Sequence, residues 1–308
     1  MGNVAEVEKW VAGATEKPSV AELLVNYGWW MKKEGYAENT IVRRVRLLST
    51  LAKRGANLLD PESVKEAIAR QDGWNVKTKE LAVEAYSCFL RMVGGSWNPP
   101  VYKPTRKLPF IPTEREIDQL IAGCNRKTAA FLQLLKETGA RCGEAWSLRW
   151  TDIDFDNKLV KIIPEKGGEP RAVKISDKLI SMLNSLPKGN PKIFNGSLRH
   201  FARSFRRQRL RIALKLQNDR INKITFHTLR HWKATMEYYK TRDILHVMKL
   251  LGHKDIKNTL LYTQLVNFES SEYHAATART LEEVVKLVEA GFEFHCEVDG
   301  VKVFRKRR

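Results

Sequence analysis

The chain has 308 residues, more than one ordinary domain holds, so two compact domains are expected. No apolar run approaches the roughly 18 residues of a membrane span, MGNVAEVEKWVAG opens with acids where a secretory signal carries basic residues, and Cys88, Cys124, Cys142 and Cys296 lie far apart without CxxC spacing; membrane, secreted, disulfide-framework and zinc-ribbon classes are excluded, and a soluble chain in a reducing cytoplasm is expected. With 54 Lys+Arg against 35 Asp+Glu, the formal charge of +19 makes a surface that attracts polyanions, nucleic acid first among them.

After an amino-terminal arm over 1–17, residues 18–93 read as a small helical domain. Ser19 and Glu22 make a capping box before an apolar run, giving a first helix to about Lys33. A second, from about Asn39 to near Gly55, carries Arg43, Arg44 and Arg46 among Val42, Val45, Leu47 and Leu48, a basic face suited to a DNA groove. Asp60-Pro61 opens a short third helix, and a fourth runs from about Lys77 to Gly94-Gly95. Residues 94–112, GGSWNPPVYKPTRKLPFIP, have no apolar period and read as a linker.

A second domain over 113–278 begins with the capping box Thr113/Glu116, and further helices are expected around 127–137 and 144–149. Residues 153–175 then alternate apolar and polar, with Asp156-Asn157 and Gly167-Gly168 as punctuation, which predicts a small antiparallel sheet whose hairpin tip carries Lys166. Residues 199–223 hold many basic side chains, Arg203, Arg206 and Arg207 among them, and one acid, Asp219. A solvated helix face mixes signs, so this stretch reads as a phosphate-contacting surface. The tail over 279–308 predicts an amphipathic helix on Leu281, Val284, Val285 and Val288, closed by Gly291, and then a hairpin about Asp299-Gly300. There are no internal repeats and no low-complexity tract. The fold class is mainly α with a small antiparallel β-sheet (α+β).

Three blocks of the second domain carry a resemblance. TGARCGEAWSLRWTDID (138–154), HTLRHWKAT (227–235) and LLGHKDIKNTLLYT (250–263) resemble, in order and local spacing, the motifs of the tyrosine recombinase/integrase family, and EKGGEPRAVKI resembles its lysine-bearing hairpin. Taken singly, each residue reads as ordinary: a surface arginine, a core histidine, a packing tyrosine. Together, on a basic chain behind a helical domain, they match residue by residue. The resemblance implies Arg141, Lys166, His227, Arg230, His253 and Tyr262 as the catalytic set, with Glu144 orienting Arg141 and His231 bracing the site. Tyr238, Tyr239 and Tyr273 do not match the position of the nucleophile.

The chemistry suits those residue types. A phosphodiester repels nucleophiles, and its transition state spreads negative charge over the non-bridging oxygens, where two guanidiniums offer bidentate, permanently charged donors. A phosphotyrosine is reversible without an external energy source, because a phenolate of pKa about 10 is a good leaving group. His227 is the candidate base for Tyr262, His253 a phosphate donor, and Lys166 the acid for the departing 5′ oxygen. His227 and His231 have i, i+4 metal spacing, but TLR lies between them and no third ligand declares itself, so neither metal nor cofactor is expected.

The resemblance further implies a two-domain, C-shaped clamp on double-stranded DNA, in which a helical core-binding domain and a catalytic domain grip opposite faces. It also implies a homo-tetramer assembled on two paired sites from a free monomer or dimer, associated with the nucleoid. Integration or excision of a mobile element is the expected reaction. The alternatives are Xer-like resolution of chromosome or plasmid dimers, and a non-catalytic DNA-binding regulator on the same fold. No residue pattern specifies an accessory protein.

Overall fold

In the computed structural model, which describes residues 19–105, 107–165, 167–265 and 273–307, the first helix starts at the residue pair that the sequence marks for it. The Ser19 hydroxyl accepts from the Glu22 amide at 3.2 Å, and the Ser19 amide donates to the Glu22 carboxylate at 2.7 Å, a reciprocal capping box that opens α1 (Val20–Lys33). The chain then makes α2 (Glu38–Lys53), α3 (Pro61–Ala69), capped by Asp60, and α4 (Val76–Val93), which ends at Gly94 in the left-handed region. These helices belong to one compact unit, Met1–Lys107. Its core is built on Tyr27, Met31, Leu48, Leu51, Ile68, Tyr86 and Phe89, all fully buried. Both buried phenols give their protons to backbone carbonyls, Tyr27 to Ala85 at 2.9 Å and Tyr86 to Leu58 at 3.1 Å. The stretch read as a linker is anchored at its start. Trp97 stands edge-on to Tyr86 with ring centroids 4.7 Å apart, and its indole N–H donates to Ser87 at 3.0 Å.

The second unit, Leu108–Arg308, opens with α5 (Glu114–Gly123) and α6 (Arg126–Thr138), followed by the short α7 (Cys142–Ser147). A three-stranded antiparallel sheet follows, β1 (Ile153–Asp154), β2 (Leu159–Ile162) and β3 (Arg171–Lys174), with Val160 opposite Val173 and Ile162 opposite Arg171. After α8 (Asp177–Asn184) come α9 (Leu198–Lys215), α10 (Phe226–Thr241), α11 (Ile244–Leu251) and two 3-10 turns, Ile256–Asn258 and Leu260–Leu265. Phe131 on α6 sits at the centre of this core. Its ring lies 4.9 to 5.7 Å from those of Trp146, Phe194, Phe201 and Phe226. Because Trp146 lies on α7 and Phe226 opens α10, this aromatic cluster fixes the two helices that carry the arginines described below.

The tail forms β4 (Tyr273–Ala278), α12 (Leu281–Glu289), β5 (Glu293–Val298) and β6 (Val301–Arg307), in a sheet of order β4-β6-β5. The hairpin about Asp299-Gly300 is as the sequence predicts, with Val298 opposite Val301. Strand β4 is not legible from YHAATA, which lacks apolar alternation; its partners come from β6. On α12 the apolar stripe stays open, with Leu281 77%, Val285 47% and Val288 56% exposed. Among the described residues, no helix is long and apolar enough to cross a membrane.

Candidate active site

The site is assembled from four segments of the second unit. Helix α10 supplies three residues on one face. Thr225 caps it, accepting from the Thr228 amide at 3.2 Å, so His227, Arg230 and His231 follow at i, i+3 and i+4 while Leu229 and Trp232 turn into the core.

Arg230 is 2% exposed and donates to two carbonyls, Gly139 O and Leu251 O, each at 2.7 Å. Gly139 is the cap of α6 and Leu251 the last residue of α11, so the guanidinium joins two helix C-termini, where unpaired carbonyls carry partial negative charge. Burial, then the Arg141 and Arg171 cations, lower its pKa to about 10, which leaves it charged at neutral pH.

Arg141 stands at the N-cap of α7, and Glu144 follows at the third helical position. The Glu144 side chain is fully buried and accepts from Arg141 Nη1 at 2.7 Å and the Arg141 amide at 3.0 Å. It also accepts from a residue that sequence reasoning did not single out, Arg171 Nη2, at 2.8 Å. Burial pushes the Glu144 carboxyl up, but the Arg171 hydrogen bond and those of Arg141 outweigh it and hold the group below its ordinary value. The Arg171 side chain is 6% exposed, and its Nε and Nη1 have no hydrogen-bond partner. The signal for it lay in the strand pattern. Positions 171, 173 and 175 share a face, Val173 and Ile175 are buried, and a cation on that face needs a buried carboxylate.

The third segment is the corner after α11. Gly252 ends that helix with φ +63°, and the carbonyl of Glu169 lies 2.7 Å from where a Cβ on Gly252 would stand. A Cβ on Gly168 would in turn lie 2.7 Å from the Gly252 carbonyl and 3.5 Å from Arg141 Nη1. Two glycines thus let the returning leg of the hairpin close onto this corner, beside Arg141. Lys166, expected at the hairpin tip, lies outside the described residues. His253 follows the corner, its Nδ1 2.9 Å from the hydroxyl of the buried Thr259, which turns the other ring nitrogen away. Burial, then Arg230, Arg141 and Arg171, bring its pKa to about 4.

Tyr262, in the Leu260–Leu265 turn, is 3% exposed and packs with Ala234, Val247 and Leu251. Its hydroxyl lies 3.1 Å from His231 Nδ1. Burial holds the phenol above its ordinary pKa, while Arg230 and Arg141 pull the other way. His227 is at the rim. Its ring meets that of His231 edge-on, with centroids 4.5 Å apart at 82°. Withdrawal of its inner side from water, then Arg230 and Arg141, lower its pKa. The structure therefore brings Arg141, Glu144, Arg230, His227, His231, His253 and Tyr262 together. Among the described residues, no group of three or more His, Cys, Asp or Glu is arranged to hold a metal.

The residues expected to contact DNA divide. Arg43 and Arg46 on α2, and Arg203, Arg206 and Arg207 on α9, are exposed. Arg44 is half-buried, with its guanidinium 5.1 Å over the Tyr36 ring, whose hydroxyl also accepts from Arg91 at 2.9 Å.

Residues 112–268, about half of the chain, match the family described as the phage integrase family, and the chain belongs to that family, the tyrosine recombinases. Over 182 residues it is 32% identical to tyrosine recombinase XerA of Saccharolobus solfataricus, a match spanning 58% of this chain and 60% of that protein, less than two thirds of its length. Over 258 residues it is 24% identical to tyrosine recombinase XerA of Pyrococcus horikoshii, spanning 80% of this chain and 90% of that one. Its fold is similar to that of lambda integrase, solved as a tetramer bound to a Holliday junction. That likeness has a TM-score of 0.63 at 16% identity, over 85% of this chain and 82% of that one.

Proposed function

We propose that this chain cuts and rejoins double-stranded DNA at specific sites through a 3′-phosphotyrosyl intermediate on Tyr262. The observation that carries the proposal is the convergence, within one chain, of two fixed guanidiniums, three histidines and a buried phenol from segments far apart in sequence. Arg141 and Arg230 hold the scissile phosphate and stabilise the charge that builds on its oxygens. Both are held by protein partners before DNA arrives, so little reorganisation accompanies the reaction. His253 donates a hydrogen bond to the phosphate, and Lys166, on the hairpin whose leg closes beside Arg141, protonates the leaving 5′ oxygen. The phenol lies within the field of Arg141 and Arg230 of its own chain, which favours cleavage in cis. The helical region over 18–93 and the α9 face supply phosphate contacts, and four protomers act on two paired sites, a stoichiometry supported by the likeness to a tetrameric recombinase on a junction. No metal or cofactor takes part, and the protein works at the nucleoid.

The expected reaction is integration or excision of a mobile element. A Xer-like role, resolution of chromosome or plasmid dimers, is favoured by the relatives named XerA. Sequencing the junctions made in cells separates the two. The catalytic proposal is tested by trapping on a nicked suicide substrate. The intact protein is expected to leave a covalent DNA adduct, and Tyr262→Phe, which keeps the ring and its packing, to bind DNA as before and leave none. An adduct from Tyr262→Phe would move the nucleophile elsewhere, and a protein that binds DNA without any adduct would be a regulator on this fold.

A further inference from the structure

Two histidines share a face of α10, and among the described residues only one of them is hydrogen-bonded to the phenol. We propose that His231, and not His227, takes the proton of Tyr262 as the phenol attacks, an inference that rests on Tyr262 being the nucleophile.

The geometry is that of a base in place. His231 Nδ1 lies 3.1 Å from the Tyr262 hydroxyl, within the range for direct transfer. The two rings are 5.8 Å apart between centroids and tilted by 55°, so they meet through the nitrogen edge and the hydroxyl and not through stacked faces. Tyr262 is 3% exposed, so the proton cannot pass readily to bulk water. His227 sits one turn nearer the start of α10, exposed, with its ring edge-on to His231. It is placed to meet a phosphate arriving from outside.

The electrostatics agree. Burial, then His227 and Arg230, hold the His231 pKa down to about 4, so the ring is neutral at neutral pH and Nδ1 has a lone pair to offer when the proton sits on Nε2. A charged ring would present an N–H to the phenol instead. So weak a base can act because conditions change at the moment of attack. The phosphate brings negative charge beside Arg141 and Arg230, which favours an imidazolium, while the forming bond to phosphorus acidifies the phenol. In the forward step the bond from the tyrosine oxygen to phosphorus forms and the hydroxyl proton passes to His231 Nδ1. The bond from phosphorus to the 5′ oxygen breaks, and that oxygen takes a proton from the general acid. On rejoining, the imidazolium returns its proton to the departing phenolate.

A series of fluorotyrosines of falling phenol pKa, installed at position 262, separates a base from a brace. Single-turnover cleavage of a suicide substrate is measured for each in the otherwise unchanged protein, in His231→Ala and in His227→Ala. With ordinary tyrosine, His231→Ala is expected to slow cleavage by about 10²–10³-fold. That defect should shrink towards unity along the series, since an ionised phenol needs no base, while the His227→Ala defect stays constant. His231→Gln, which preserves a polar group in the space, gives the same comparison should the alanine variant fail to fold. An adduct with a His231 defect that is constant along the series, or a His227 defect that shrinks, overturns the assignment of the base alone. No adduct from the unsubstituted protein overturns the nucleophile and this inference with it.

Discussion

The arginines of α9 and those of the candidate catalytic pocket are the same side chain held in opposite settings. Arg203, Arg206 and Arg207 extend from α9 into solvent, and Arg209 beside them is tied down, its Nη1 2.6 Å from the Ile224 carbonyl. In the pocket, Arg230 donates one hydrogen bond to each of two carbonyls, and Arg141 and Arg171 share one buried carboxylate. An exposed guanidinium keeps its rotamer freedom and its counterions, so what it contributes is affinity that falls with salt. A guanidinium held in low dielectric by fixed partners contributes little to approach and much to the charge that develops in the transition state. The site should therefore fail in rate where α9 fails in binding.

The largest break of that contrast is expected at Arg230. Arg230→Ala removes the proposed transition-state donor and strands two helix-end carbonyls. Single-turnover cleavage at saturating DNA should fall by about 10³-fold, and urea unfolding should show a loss of about 2–4 kcal/mol. Unchanged DNA affinity would be expected alongside. A variant whose defect is cured by more DNA would show that Arg230 serves binding after all.

Stability against pH sharpens the same comparison, because the pocket holds neutral histidines whereas the exposed face of α9 is built on arginines. His231 and His253 have folded pKa values of about 4, below the ordinary value of about 6.5. The stability linked to their neutrality is fully present above about pH 6.5 and is lost as pH falls towards 4. Glu116 acts lower. Burial pushes it up, but Arg220, Thr113 and Asn218 hold it down to about 2, so its contribution is present above the ordinary carboxylate value and is lost as pH falls through 2. Unfolding followed from pH 7 to 4 should show a decline that His231→Asn and His253→Asn each reduce. A profile flat to pH 4 in the unsubstituted protein would refute the half-buried, neutral rings.

Much of this was legible in the sequence because local rules decided it. The capping boxes at Ser19 and Thr113, the glycine stops at Gly94 and Gly291, and the Asp299-Gly300 hairpin need only neighbouring residues, and they lie where expected. The histidines and Arg230 on α10 share a face by helical period alone. What was hidden depends on residues distant in sequence. Arg171 needs Glu144 across 27 positions to be recognisable, although its place on a buried strand face was a clue. Which of two histidines meets Tyr262 depends on how the Leu260–Leu265 turn lands on α10, and spacing carries no trace of that. Strand β4 exists only because β6 lies beside it. Arg44 looked like its neighbours Arg43 and Arg46, yet an α-helix turns adjacent residues about 100° apart, and that rotation separates an inner arginine from two outer ones.

On α9, replacing Arg203, Arg206 and Arg207 together with Gln should reduce the log–log salt slope of DNA binding by about 0.9 for each phosphate left without its cation. Folding stability should stay within about 0.5 kcal/mol, and the cleavage rate at saturating DNA should be unchanged. A full-strength salt slope would remove α9 from the interface, and a slower saturated rate would tie it to the chemistry.

The smallest expected effect brings the comparison inside one helix. Arg43 and Arg46 are exposed on α2, while Arg44 lies against the Tyr36 ring with Nη1 buried and without a partner. Arg43→Gln and Arg46→Gln should each lower the salt slope by no more than about 0.9 and leave unfolding unchanged. Arg44→Met keeps a long side chain over Tyr36 but removes the cation. It should leave the salt slope alone and shift stability by about 1 kcal/mol, the balance between removing the cation–π attraction and releasing an unsatisfied buried donor. The sign reports which dominates: a loss means that the ring and the Tyr36 hydroxyl compensate the buried charge, and a gain means that they do not. Equal reductions of the salt slope from all three substitutions, with no change in unfolding from Arg44→Met, would instead place Arg44 on the DNA side with its neighbours.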